Sequence, residues 1–161
     1  MNGAQIHLLT NHIPVLGLGF SAALTAAGML RGSDELKKAG LWAFVLAGLS
    51  ALPAYFSGEG SEEIVEHLPG VTEALIKAHE EIAAKALTGA LLLAGCALAA
   101  LGLAFKRNAL SPKAAPALLV LALPVLALMA YAAHLGGLIR HSELRPGAAS
   151  GTAESGEGHD D

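Results

Sequence analysis

Four stretches without a charged residue divide the chain: Ile13 to Leu30, Ala39 to Ser57, Ala86 to Phe105 and Ala114 to Ile139, of 18, 19, 20 and 26 residues. As a helix rising about 1.5 Å per residue, each covers a hydrocarbon core of about 30 Å. Helices apolar all round also occur inside soluble proteins, but four in succession leave no element to face water. The pattern predicts an all-α protein, a four-transmembrane-helix up-down bundle occupying residues 1–145. From Pro146 onward the chain is Gly, Ser, Ala and acidic residues without an apolar period, which predicts a disordered acidic tail over 146–161. No internal repeat is evident.

Local signals mark the ends of the spans. Ser33 before Asp34 and Glu35 suits the start of a helix running into the second span. Gly58 to Val71 reads as a long loop, with a short helix starting at Ser61 and stopped by Leu68-Pro69-Gly70. Thr72 before Glu73 starts the third helix, whose first turns then stand above the membrane. Within that helix Glu73 precedes Lys77, and Glu81 precedes Lys85, by four residues, the favourable order for an ion pair. Pro14, Pro53 and Pro124 bend three of the helices or start them.

Charge sets the orientation. Arg31, Lys37, Lys38, Lys106, Arg107 and Lys113 are six of the ten basic residues, and all lie in the two short connections. The positive-inside rule puts those connections in the cytoplasm and both termini outside. Absence of a basic residue before Arg31 argues for a retained first helix rather than a cleaved leader. The reading is a multi-pass protein of a bacterial cytoplasmic (inner) membrane, surrounded by lipid bilayer.

Composition then narrows the chemistry. With 53% hydrophobic and 15% charged residues, polar surface is too scarce for a small soluble globule. A net charge of −4 without a basic cluster excludes nucleic acid as a partner. The single cysteine, Cys96, excludes a disulfide framework and a paired-cysteine metal or redox motif. No GxSxG, HExxH or GxxxxGK[ST] pattern supports hydrolase or nucleotide chemistry.

Histidine is the remaining clue. His7, His12, His67, His79, His134 and His141 all fall towards the outer ends of the helices. Counting residues from the inner ends puts His12, Gly58 and His134 at one level and His7, His79 and His141 about 10 Å further out. Neutral imidazole ligates haem iron and transition metals, and facing helices of a bundle are a usual place for such sites. Five residues, about 140° of helix, separate His7 from His12, so one metal takes only one of them on an undistorted helix. His12 is the expected buried member and His7 the rim member. Gly19, Ala83, Ala86 and Gly137 offer small surfaces near these histidines. Arg140 can meet a haem propionate, while Glu59 or Glu62 can orient a histidine or ligate a metal.

Short motifs resemble domain-of-unknown-function family 2231, a group of bacterial four-helix membrane proteins. His7-Leu8-Leu9-Thr10-Asn11-His12-Ile13-Pro14 resembles its His-x4-His-Phe-Pro opening, with Ile13 in place of the aromatic. Ser57-Gly58-Glu59 resembles its exit from helix two, and His79 the histidine at the start of helix three. Gly136-Gly137 followed by His141 resembles its helix-four ending, at a shorter interval. The resemblance spans about residues 5 to 143 and selects His7, His12, His79 and His141, but not His134. It implies respiratory electron transfer and b-type haem, since related domains occur fused to c-type cytochrome modules.

The expected function is therefore membrane electron transfer through b-type haem (haem b), with His12 and His79 as axial ligands. His141, His7 or His134 can replace either one. A c-type cytochrome or other respiratory redox partner would exchange the electron. Two alternatives stand beside it. One is a zinc or iron ion at the periplasmic rim, held by His7, His79, His141 or His12 with Glu59 or Glu62. The other is a cofactor-free membrane scaffold.

Overall fold

The computed structural model describes residues 3–67 and 69–145. Its helices are α1 (Gly3–Thr10), α2 (His12–Leu30), α3 (Asp34–Val65), α4 (Glu73–Arg107) and α5 (Ala114–Arg140), followed by a 3-10 turn, Ser142–Leu144. No strand occurs among the described residues. The disordered tail expected over 146–161 lies outside them. Four helices are long and apolar enough to cross a membrane: Gln5–Leu30, Asp34–Gly58, Glu73–Arg107 and Ala114–Arg140.

The first of these is α1 and α2 joined through Asn11, which keeps helical angles of φ −61° and ψ −27°. Pro14 supplies the cause. It has no N–H for the Thr10 carbonyl and its ring crowds that oxygen. The bond from Asn11 N–H to the His7 carbonyl survives at 2.9 Å, so the interruption is a local one.

Capping follows the sequence closely. Ser33 Oγ accepts from Leu36 N–H at 3.3 Å, and Thr72 Oγ1 from Leu75 N–H at 3.3 Å. Lys77 pairs with Glu73 at 2.6 Å and Lys85 with Glu81 at 3.6 Å.

One expectation is corrected. The loop placed from Gly58 to Val71 is mostly helix, because α3 runs unbroken to Val65. Gly58 and Gly60 keep negative φ; among the described glycines only Gly32 and Gly70 do not. A glycine costs a helix about 1 kcal/mol, which the glutamates around it and the cooperativity of extending an existing helix offset.

Neighbours around the bundle run α2, α3, α4, α5, with α5 closing back onto α2. Helices α2 and α4 occupy opposite corners, with no Cα pair within 8 Å. Close packing comes from small residues. Gly40 lies against Thr25, where an added Cβ would fall 2.8 Å from the Thr25 nitrogen. Gly28 similarly abuts Lys37, and Gly48 abuts Ala90, whose carbonyl would lie 2.7 Å from an added Cβ. Leu18, Leu41 and Phe44 are fully enclosed, with Ala90, Ala97 and Ala122 around them. The buried hydroxyls of Ser21 and Thr25 donate to their own helix, at Gly17 O (2.6 Å) and Ser21 O (2.8 Å). That satisfies them without water, as a lipid-embedded helix requires.

Less than half of each span is buried, 28% to 44%. Leu16, Phe20, Leu46, Leu92 and Leu123 point outward instead. An apolar exterior of this kind suits lipid contact and not water.

A candidate cofactor site at the histidine end

The antiparallel register decides which histidine meets which helix. Thr25 faces Gly40 and Gly28 faces Lys37, and the same register carried along α2 and α1 brings His7 level with Gly58. Sequence counting had put His12 there. It started the second span at Gly40, whereas α3 begins at Asp34 and its charged first turns belong to the packed helix. Between α4 and α5, Gly89 meets Val125 and His79 meets Gly136. Gly48 against Ala90 ties the two hairpins together. Ten residues further along each helix, about 15 Å, stand Gly58 and Glu80, the latter next to His79. His7, Gly58, His79 and Gly136 therefore share one level.

Each of the two histidines is half-buried and held in the same way. His7 Nδ1–H donates to the Ala54 carbonyl of α3 at 2.9 Å. His79 Nδ1–H donates to the Ala132 carbonyl of α5, also at 2.9 Å. A carbonyl only accepts, so Nδ1 carries the proton and the neutral ring keeps its lone pair on Nε2. Among the described residues nothing hydrogen-bonds to either Nε2. One turn beyond each carbonyl is a glycine against the ring. A Cβ on Gly58 would stand 3.5 Å from His7 Cε1, and one on Gly136 would stand 3.2 Å from His79 Cε1. Each hairpin thus contains a histidine on its first helix, and a carbonyl with a glycine on its second. Only the first half adds a hydroxyl: Ser57 Oγ lies 3.4 Å from His7 Nδ1 and donates to Ala54 O at 3.2 Å.

The two rings come from opposite corners of the bundle. Packing changes towards this end of the bundle. No Cα of α1 comes within 8 Å of α4 or α5, although α2 below it packs on α5. Leu119, Leu126, Ala133, Gly137 and Arg140 recur along one stripe of α5. Its leucines pack on the core, while Ala133 and Arg140 are exposed and a Cβ on Gly137 would meet nothing within 4 Å.

The other expected site residues stand apart. His12 is exposed, hydrogen-bonded to its neighbour Asn11, so burial of His12 and rim placement of His7 are reversed. Pro14 loosens the turn that joins them, and the register above brings His7 rather than His12 to α3. His134 is exposed and stacks on Tyr131, ring centroids 6.5 Å apart. His141, also exposed, bonds through Nδ1 to Glu143 Oε1 at 2.9 Å. The Glu143 backbone N–H, then His141 and Arg145, hold that carboxyl below the usual range. Glu59 and Glu62 belong to α3, but their side chains lie outside the described residues, as does any test of them as ligands. Among the described residues, no three His, Cys, Asp or Glu side chains gather as a metal-ion site. Two imidazoles alone fall short of the four-ligand shell of zinc.

The Ala54–Gly58 and Ala132–Gly136 pairings were not recognised in the sequence. A histidine and two small residues make too weak a signal in a chain this rich in alanine and glycine, although the shared four-residue interval was there to find.

By helix length and composition, then, this is a multi-pass membrane protein, with two carbonyl-anchored histidines at one end of an all-α bundle. Comparisons with protein families, with curated proteins and with solved structures find no match.

Proposed function

We propose that the protein transfers single electrons in a bacterial cytoplasmic membrane, with b-type haem held between His7 and His79 at the periplasmic end. The observation that carries this reading is the paired anchoring of the two Nδ1–H groups to helix carbonyls. It is the arrangement that aims and strengthens a ligating imidazole, because the second nitrogen is fixed in orientation and made more basic. Iron cycling between its ferric and ferrous states would supply the one-electron chemistry. His7 and His79 would hold the group through their Nε2 atoms.

The remaining residues have supporting roles. Gly58 and Gly136 keep side chains off the rings. Arg140, in the last turn of α5, offers a cation for a propionate. The motifs set beside family 2231 include both histidines, together with His12 and His141, which stand apart from them. The six basic residues of the opposite connections support the periplasmic placement and both termini outside. A c-type cytochrome or another respiratory redox protein is the partner this placement favours.

Purification from a haem-replete host tests the proposal. The expected product is red, with a Soret band that His7→Ala or His79→Ala abolishes and His12→Ala preserves. Carbon monoxide should leave the reduced spectrum unchanged. A colourless wild-type protein overturns the reading.

A further inference from the structure

Arg145 has no part in the site as described, yet its guanidinium makes three hydrogen bonds to backbone. Nε donates to Leu138 O at 2.8 Å, Nη2 to Ile139 O at 2.8 Å, and Nη1 to Pro69 O at 2.7 Å. The first two acceptors lie in the last turn of α5, where carbonyls lack partners within the helix. The third belongs to the turn that leads into α4. Gly70 makes room for this contact. Its φ is +73°, and a Cβ there would fall 2.7 Å from Arg145 Nη1.

We propose that Arg145 is the positioning residue for His79: by tying the start of α4 to the end of α5, it sets the height at which the imidazole meets Ala132 and Gly136. The inference deepens the haem reading, since it matters to function only if His79 is a ligand. The mechanical argument is independent of that. His79 lies six residues beyond Glu73, on a helix that behaves as a rod. A slip of one residue along α5 moves it about 1.5 Å, enough to break a 2.9 Å bond to Ala132. Near its first turns α4 is fastened to α5 by that bond and by the Arg145 bridge. His7 hangs on a different pair of helices, α1 and α3, so the bridge acts on one ring and not the other. A planar guanidinium can span three carbonyls, whereas one ammonium cannot reproduce that fork.

Side-chain 15N NMR of histidine-labelled full-length protein, without cofactor and at about pH 8 where free imidazoles are neutral, reads the tautomer directly. In the wild type, His7 and His79 should each show a single Nδ1–H form. Arg145→Ala should turn His79 into a tautomer mixture while His7 stays single. Arg145→Lys should fail to restore it. Gly70→Ala, which displaces the guanidinium but leaves Arg145 in place, should reproduce the loss, and the double variant should be no worse than either single one. An unchanged His79 in Arg145→Ala or Gly70→Ala overturns the proposal, and so does equal loss at His7 and His79. In haem-loaded protein, Arg145→Ala should shift the spectrum towards high spin; an unchanged low-spin spectrum also counts against the bridge. A wild type that takes up no haem defeats the functional reading and leaves the NMR test of Arg145 standing.

Discussion

Glycine does different work along the shafts of the bundle and at its histidine end. From the α2–α3 turn to mid-helix, Gly28, Gly40 and Gly48 let backbone approach backbone, and an added Cβ would fall 2.6–2.8 Å from a main-chain atom of the facing helix. At the histidine end Gly58 and Gly136 face imidazole rings at 3.5 and 3.2 Å instead. Small residues in lipid ordinarily serve the first purpose, since close backbone approach is what holds such helices together. Their second use is to leave room for the two imidazole rings.

Substitutions at the two levels should separate these roles. The largest effect is expected from Gly40→Val, because Thr25 stands in the way and neither backbone can yield. We expect a loss of about 3 kcal/mol or more, read as a fall in thermal stability in detergent whether or not pigment is bound. Gly48→Ala should cost about 1–3 kcal/mol by the same route, against the Ala90 carbonyl. Gly136→Ala should leave stability nearly unchanged but weaken haem retention about tenfold, about 1.4 kcal/mol, because the His79 ring must shift by a few tenths of an ångström. Gly58→Ala, at an ordinary van der Waals distance from His7, should change retention by no more than about twofold. Equal effects at Gly58 and Gly136, measured by haem transfer to an acceptor protein, would remove the distinction drawn from their spacing. The smallest change is expected at Gly102, where a Cβ meets nothing within 4 Å. Gly102→Ala should be neutral or stabilising by up to about 1 kcal/mol through helix propensity alone.

Much of the fold was legible in the sequence because lipid imposes a coarse code. Uncharged runs of 18 to 26 residues identified the four spans, and Ser33 and Thr72 marked two helix starts that the structure confirms. Relative register was not legible. It depends on how far α3 descends past Gly40, and its first turns are charged, so a hydropathy boundary misplaces the helix by more than a turn. That error exchanged His7 for His12. His79 was singled out from the sequence, but its partners Ala132 and Gly136 lie 53 and 57 residues away, on another helix, with no distinctive chemistry of their own. The continuous α3 was missed for a related reason: two glycines two residues apart read as a stop, while a helix already formed runs through them.

The bonds from His7 to Ala54 and from His79 to Ala132 have a thermodynamic consequence for whatever the rings capture. Each imidazole is oriented when the chain folds, and its proton is assigned to the nitrogen that faces protein. The rotational entropy of two side chains and the choice of tautomer are settled before any encounter, so more of the intrinsic bond strength appears as affinity.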